Sequence, residues 1–304
     1  MEPRLQSAHE GCVAVPIPRV FVSSGGFGKP PLDAVRELRA AGVADIELSG
    51  GVHQGGVTAG LTRESGAGRL QVHNYFPPPP VPFVFNLCDP DERGRERSVQ
   101  FACDAVELSA SLGSHVYSFH AGFLGTPTVS DLGRNWGVIN KLGLDEGIEL
   151  FAGSVARVNN FARERGVRLL VENNVLTIGT ATANGEDVLL MTSPESIRSI
   201  LACLPADIGL IMDVAHFAVS ARTLGFDASS SLRDLAPLIG GYHLSDNDGL
   251  SDNNEPVRED SWFWNDLNAE VPYATLEIHP DKVGSYADQV ALTERKLADR
   301  DQHP

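Results

Sequence analysis

The segment Ile208-Gly-Leu-Ile-Met-Asp213-Val-Ala-His216 decides the fold, because it is an apolar run of strand length that ends on a carboxylate. Three more short runs end on an ionisable side chain, two on a carboxylate and one on an imidazole: Val167-Arg-Leu-Leu-Val-Glu172, Tyr273-Ala-Thr-Leu-Glu277 and Gly240-Gly-Tyr-His243. Short runs rich in Val, Ile and Leu are typical of buried parallel strands. An ionisable group at the end of such a strand is costly to bury without a partner. The four strand ends are therefore predicted to meet around a shared partner.

Strand-like and helix-like segments alternate along the chain outside these runs as well. The predicted strands cover residues 19–24, 44–49, 69–75, 115–120, 167–172, 208–213, 241–244 and 273–278. The predicted helices cover residues 31–41, 96–112, 150–165, 194–204, 230–239 and 281–297. Eight strands separated by helices within 304 residues predict one α/β domain, a (β/α)8 TIM barrel with its core over about residues 19–298. A doubly wound open sheet is the alternative.

The four strand-end side chains form a mostly oxygen donor set with one imidazole. They are Glu172, Asp213, His243 and Glu277, and they are spaced about one βα unit apart. Such donors suit one divalent cation, Mn²⁺, Mg²⁺ or Co²⁺, with Zn²⁺ as the alternative. A buried ion-pair network is the other interpretation. It is disfavoured because no Lys or Arg occurs at a matching strand end.

Further polar side chains are predicted to contact a substrate, because barrel enzymes bind substrates at the C-terminal ends of their strands. Glu47, His73 and His120 end or nearly end predicted strands, His216 follows Asp213 by three residues, and Asp246 follows His243 by three. Each has a structural alternative. His216 can be a loop histidine bonded to the backbone, Glu47 can support a neighbouring side chain, and Asp246 can be an ordinary turn residue.

Composition excludes several classes of partner. The formal charge of −16 and the pI of about 4.9 argue against nucleic acid and against anionic membrane surfaces. No apolar run is long enough for a transmembrane helix. The first ten residues lack the pattern of a signal peptide, and the four cysteines are dispersed without a C-x-x-C pair, so a cytoplasmic location is expected. The loop Gly25-Gly-Phe-Gly28 resembles a phosphate loop but lacks its G-x-x-x-x-G-K-[ST] order.

The motifs Val-Glu172-Asn, Asp213-Val-Ala-His216, His243-Leu-Ser-Asp246 and Leu-Glu277-Ile resemble the xylose-isomerase-like barrel superfamily, which includes sugar isomerases, ketose 3-epimerases, inosose dehydratases and endonuclease IV. The resemblance covers nearly the whole chain and implies one divalent metal on the four strand-end residues, with His216 touching substrate. Homo-oligomers are common in similar families. In the ketose 3-epimerases an arginine follows the strand-seven histidine closely, whereas here the acidic stretch 245–254 intervenes and Arg258 comes later. Recognition at this corner is therefore expected to differ.

The function that these features predict is a metal-dependent isomerase or epimerase of a small carbohydrate or polyol. The cation would stabilise an enediolate, and Glu172 and Glu277 would remove and return the proton. A dehydratase that uses the same enediolate is the first alternative, with His120 protonating the leaving hydroxyl. A hydrolase with two or three metal ions and a binding protein without turnover are the others.

Overall fold

The computed structural model describes residues 18–127, 141–186, 188–268 and 270–300. Within these ranges eight parallel strands form a closed barrel in which each strand lies beside its neighbours in the sequence and β1 pairs with β8. The strands are β1 Arg19–Ser23, β2 Ile46–Leu48, β3 Leu70–His73, β4 Val116–His120, β5 Arg168–Glu172, β6 Gly209–Asp213, β7 Ile239–Leu244 and β8 Tyr273–Leu276. The predicted (β/α)8 barrel is confirmed.

Helices connect the strands and cover the outside of the barrel. They are α1 Pro31–Ala40, α2 Val57–Glu64, α3 Glu92–Ser111, α4 Leu144–Arg163, α5 Ile178–Asn184, α6 Pro194–Cys203, α7 Val214–Leu224, α8 Ala228–Leu235 and α9 Tyr286–Arg300. The sequence did not predict α2, α5 and α7. Helix α7 is buried on most of its surface, so its sequence lacks the polar stripe by which an amphipathic helix is recognised. None of the described helices is long and apolar enough to cross a membrane.

The barrel interior is filled near its middle by four apolar side chains from two pairs of neighbouring strands, β1 with β8 and β5 with β6. Phe21, Leu170, Ile211 and Tyr273 form a cluster separate from the large core between strands and helices. The rings of Phe21 and Tyr273 meet edge to face at 5.9 Å. A Cβ atom on Gly241 would lie 2.7 Å from the Tyr273 ring, so glycine in β7 leaves the space that this ring occupies.

Candidate active site

The four predicted ligands come together at the C-terminal end of the barrel. Glu172 and Asp213 are the last residues of β5 and β6, His243 lies one residue before the end of β7, and Glu277 directly follows β8. One ligand atom from each lies within 4.8 Å of the others. Consecutive parallel strands bring their final side chains to the same end of the barrel, which explains how residues far apart in sequence meet here.

His243 lies at the centre of the carboxylates and is fully buried. Its Nδ1 atom is 3.1 Å from Glu172 Oε1 and 3.7 Å from Glu277 Oε2, and its Nε2 atom is 3.0 Å from Glu47 Oε1. Burial opposes a charged imidazole, but the negative charges of Glu277, Glu47 and Glu172 together raise the pKa of His243 well above its usual value. Each ring nitrogen of His243 therefore faces at least one carboxylate.

Glu172 is surrounded by imidazoles. Its Oε2 atom lies 3.3 Å from His73 Nε2 and 3.5 Å from His120 Nδ1, and its Oε1 atom lies 3.5 Å from His216 Nδ1. Burial would raise the pKa of this carboxyl, yet the attraction of His120, His243 and His73 holds the pKa well below its ordinary value. Glu172 is thus a carboxylate that the fold keeps ionised without exposing it to solvent.

Asp213 joins the site to the start of α7. Its Oδ1 atom accepts a hydrogen bond of 2.8 Å from the backbone N–H of His216, so it caps the helix. The Asn173 amide exchanges two hydrogen bonds with the Asp213 backbone and locks the two strand ends together. Burial and the neighbouring carboxylates outweigh the charge of His216 and raise the pKa of Asp213 to about 7. Burial likewise raises the pKa of Glu277 to about 7.

These residues fit a divalent cation. Among the described residues, two buried atoms at the cluster, Glu172 Oε2 and His120 Nδ1, lie 3.5 Å apart and have no hydrogen-bond partner. Buried polar atoms are normally paired, and a cation satisfies several of them at once. Three carboxylates with one imidazole form a hard donor set that suits Mn²⁺, Mg²⁺ or Co²⁺, and Zn²⁺ takes the same atoms.

An open pocket of about 190 Å³ lies directly above the cluster. Its described lining is Ser23, Gly25, Gly26, Ser49, His73, Asn74, His120, His216, Asp252, Asn254, Glu277, Ile278 and His279. Of the side chains that the sequence analysis assigned to a substrate, His73, His120 and His216 line this pocket. Burial lowers the pKa of His120 to about 4 and also lowers the pKa of His73, so both imidazoles are neutral near pH 7.

Two of the predicted substrate contacts lie elsewhere. Glu47 is fully buried, where it accepts hydrogen bonds from Gln71 (2.5 Å) and Thr275 (3.1 Å) and faces His243. Asp246 is buried and accepts a hydrogen bond of 2.7 Å from Ser261, with Arg258 at 2.9 Å. Neither lines the pocket. The prediction placed them by their nearness to a strand end, but β2 ends one residue beyond Glu47, which keeps that side chain inside the barrel, and Asp246 turns toward its own loop.

The sequence analysis assigned no role to Asp252, Asn254 and His279, which the structure places in the pocket wall. Asp252 Oδ2 lies 3.2 Å from His216 Nε2, and the Nδ1 atom of the same ring lies 3.0 Å from the carbonyl oxygen of Asn173. In the sequence, Asp252 is one of several Asp and Asn residues in a polar loop, a composition typical of turns. Nothing local distinguishes it from its neighbours.

A comparison with known proteins identifies the family. The model of the xylose isomerase-like TIM barrel family matches residues 35–272. The chain belongs to this family. The match begins in α1 and ends just before β8, so it covers the six strands from β2 to β7, while Glu277 lies outside it. The comparison with curated proteins finds no significant match.

Solved structures share the fold of this family member at low identity. A Thermus thermophilus protein soaked with ZnCl2 is 24% identical, with a TM-score of 0.59, over 90% of this chain and 96% of its own. A D-tagatose 3-epimerase-like protein is 18% identical, with a TM-score of 0.70, over 93% and 98%. The 3-keto-D-glucoside 4-epimerase YcjR from E. coli is 14% identical, with a TM-score of 0.60, over 93% and 99%. At these identities the likeness concerns the fold.

Proposed function

We propose that this xylose isomerase-like barrel is a divalent-metal-dependent isomerase or epimerase of a small sugar or polyol. One observation carries the proposal: Glu172, Asp213, His243 and Glu277 bring their ligand atoms within 4.8 Å of one another beneath an open pocket. The epimerases among the proteins of similar fold agree with this chemistry. A homo-oligomer and a cytoplasmic location stay predictions from the sequence.

The four residues would hold the cation, and Mn²⁺, Mg²⁺ or Co²⁺ is the expected metal. Bound there, it would supply Lewis acidity that stabilises the negative charge of an enediolate. Glu47 supports this arrangement from below, because its carboxylate faces the Nε2 atom of His243 at 3.0 Å. An imidazole whose far edge meets a carboxylate is fixed in orientation and is a better ligand.

Glu277 and Glu172 are the proposed proton-transfer groups. Glu277 lines the pocket with 15% of its side chain exposed, whereas Glu172 has none exposed and is reached only from the cluster below. The carboxylate of Glu277 is therefore placed to remove a proton from a carbon held in the pocket. Glu172, which is ionised at rest, would take a proton from a substrate hydroxyl group before it returns one to the other side of that carbon, and in the reverse direction it would remove the proton.

The imidazoles would orient the hydroxyl groups of the substrate. His120 presents its ring to the pocket with 33% of its side chain exposed, and the ring of His216 is held by Asp252 and Asn173. His73 is fixed by its Nδ1 contact of 3.0 Å with Ser118 Oγ. Orienting groups of this kind lower the barrier by holding the reacting atoms in place before reaction.

The dehydratase alternative needs a proton donor for the leaving hydroxyl group. His120 is the expected donor, and it lines the pocket with 33% of its side chain exposed. The hydrolase alternative has some geometric support, because Glu47, His73 and His243, and also His73, His120 and Glu172, form overlapping ligand groups. The groups share Glu172 and His243 with the main cluster, so the number of metal ions per chain distinguishes the two functions, and we expect one.

Solvent exchange tests the proposal. The metal-loaded protein is incubated in D2O with a panel of ketoses, aldoses and polyols, and products are followed by NMR and mass spectrometry. Incorporation of deuterium at the carbon beside the carbonyl supports proton transfer, and loss of water supports a dehydratase. Elemental analysis counts the metal ions per chain. Two or three metal ions per chain, together with hydrolysis of an ester or glycoside, would refute the proposal and indicate a hydrolase.

The variants Glu172→Gln and Glu277→Gln connect the exchange to the site. Each keeps the size of the side chain and removes its charge. Glu195→Gln on the exposed face of α6 is the matched control. If the variants Glu172→Gln and Glu277→Gln both retain near-wild-type turnover, the proposed roles are wrong.

A further inference from the structure

We infer that the pocket takes an uncharged, monosaccharide-sized sugar or polyol and rejects phosphorylated or carboxylated ones, and that Asp252 is the specificity-determining residue. This inference rests on the proposed function, since it assumes that the pocket above the ligand cluster is the substrate site. Its volume of about 190 Å³ is below that of sites for drug-sized ligands, which start near ~300 Å³. The pocket therefore suits a small molecule.

The positive charge in the described pocket wall is already paired with a carboxylate. Burial opposes a charged His216, but the negative charges of Asp213 and Asp252 raise the pKa of His216 well above its usual value, and its Nε2 atom lies 3.2 Å from Asp252 Oδ2. The described lining includes the carboxylates of Asp252 and Glu277 and contains no Lys or Arg. Proteins recognise phosphate and carboxylate groups chiefly through arginine and lysine. The lysine whose contacts adjoin the pocket wall, Lys282, is already bonded to Asn253 O and Glu255 Oε1, both at 2.6 Å.

A phosphate could instead be held by backbone N–H groups at the start of a helix, and the Gly25–Gly28 loop leads into α1. Those groups are engaged or missing here. Pro30 and Pro31 have no N–H, and the Leu32 N–H donates to Gln54 Oε1 at 3.1 Å. The Asp33 N–H donates to Pro30 O at 3.0 Å, and the Asp33 carboxylate adds negative charge to the first turn.

The glycine loop itself also lacks a free donor at its first residue. The Gly25 N–H donates to Ser23 Oγ at 3.1 Å. A Cβ atom on Gly26, whose φ is +77°, would meet Pro280 at 3.2 Å. Packing and backbone conformation therefore account for glycine at position 26 without a bound anion.

Asp252 is held in place by its loop. The buried Asp246 carboxylate binds Ser261 and Arg258, and its backbone pairs with Glu255 in both directions at 2.9 Å. The carbonyl oxygen of Asn254 accepts from the His279 N–H, also at 2.9 Å, which ties the loop to the segment after β8. The Asp252 side chain is 29% exposed and contacts His216, so its carboxylate stands at the pocket wall.

A bound divalent cation does not make the pocket positively charged. Three of its four proposed ligands are carboxylates, which outnumber its two positive charges, and the Asp252 carboxylate offsets the positive charge of His216. Like charges repel each other, so an anionic substrate is expected to bind at least about tenfold more weakly than its neutral counterpart.

Calorimetry on matched pairs of sugars tests the inference without requiring turnover. The pairs are D-fructose and D-fructose 6-phosphate, D-xylulose and D-xylulose 5-phosphate, and D-ribulose and D-ribulose 5-phosphate, each titrated into the Mn²⁺-loaded protein. We expect at least one neutral sugar to bind, and in every pair the neutral member to bind about tenfold more tightly or more. Tighter binding of a phosphorylated member, or no binding of any neutral sugar, overturns the inference.

Two variants locate the effect. Asp252→Asn is expected to narrow the difference within each pair by about threefold to tenfold, because it removes one like charge. Asp260→Asn is the matched control, since Asp260 lies in the same loop region with 88% of its side chain exposed and does not line the pocket. An equal change in both variants contradicts the role of Asp252.

The outcomes separate the inference from the proposed function. Neutral sugars that bind tightly but neither exchange deuterium nor change structure would refute the isomerase proposal and leave the substrate class standing. Turnover of a phosphorylated sugar with solvent exchange would support the isomerase proposal and refute the inference about the substrate class.

Discussion

Two layers of side chains inside the barrel differ sharply although β5 and β6 contribute to both. In β5, Leu170 lies in the apolar cluster and Glu172 lies in the ligand cluster, and Ile211 and Asp213 repeat this relation in β6. Residues two apart point to the same face of a strand and are about 7 Å apart. The change from the apolar cluster to the ligand cluster therefore occurs between two inward-facing residues that are two positions apart in the strand.

The difference shows how one barrel separates stability from reactivity. The apolar layer gains free energy by removing its side chains from water. The upper layer buries carboxylates and imidazoles with unpartnered atoms, an arrangement that is costly until a ligand compensates it. We expect substitutions in the lower layer to change the free energy of unfolding and substitutions in the upper layer to change metal binding and turnover.

The largest expected effect is on turnover in the upper layer. Glu277→Gln should lower kcat by about 10²–10⁴-fold, because it removes the pocket-facing proton-transfer group. The rate of deuterium exchange measures the loss, and urea unfolding of the metal-free protein checks that the fold is kept. If stability falls as much as activity does, the separation of the two layers is refuted.

Leu170→Ala tests the lower layer. Truncating this fully buried side chain should reduce the free energy of unfolding by about 2–5 kcal/mol, since it leaves a cavity inside the barrel. Urea titration followed by circular dichroism measures the change. The variant should still bind one metal ion where it is folded, and loss of metal from folded protein would show that the layers are coupled.

Glu47→Gln examines the boundary between the layers. Glu47 touches His243 but not the pocket, so we expect metal affinity to fall by about 10–100-fold, as for other residues that orient a ligand from behind. Competition with a fluorescent chelator measures the affinity. An unchanged affinity would mean that the Glu47 carboxylate does not orient His243 toward the metal.

Metal affinity should also rise with pH, by about tenfold or more between pH 6 and pH 8. The pKa values of Asp213 and Glu277 are raised to about 7 and that of His243 is raised as well, so binding must displace protons at pH 6. The raised pKa values of these two carboxyls also affect the metal-free protein. Their contribution to its stability is fully present below the carboxyl pKa of the unfolded chain and is lost as the pH rises through about 7. Calorimetry in buffers of different ionisation enthalpy counts the released protons. A pH-independent affinity would contradict these ligands.

The smallest effect is expected from Ile211→Val. Removing one methylene from the lower layer should cost about 0.5–1.5 kcal/mol of unfolding free energy and leave metal affinity unchanged. Urea unfolding and chelator competition on the same preparation measure both quantities. A change in affinity from so small a truncation would show that the apolar layer sets the ligand geometry.

Prediction from the sequence was strongest where one residue carried its own evidence. Pro194 after Ser193 marked the start of α6, and the structure has a capping box there. The apolar runs of β5 and β6 were located within one residue, because buried parallel strands differ from their surroundings in composition. Helix α7 was missed for the opposite reason: it follows β6 without a loop and is apolar on most of its surface.

The sequence by itself determined the barrel, because eight short apolar runs alternating with helices have few ways to close. It also located the four strand-end side chains that the structure brings together. Only the tertiary structure decided that Glu47 faces His243 and that Asp246 anchors a loop. It also placed Asp252 beside His216. The reason is physical. Periodicity records which side of an element is buried, whereas the partner of a polar side chain depends on elements that are distant in the chain and meet only after folding.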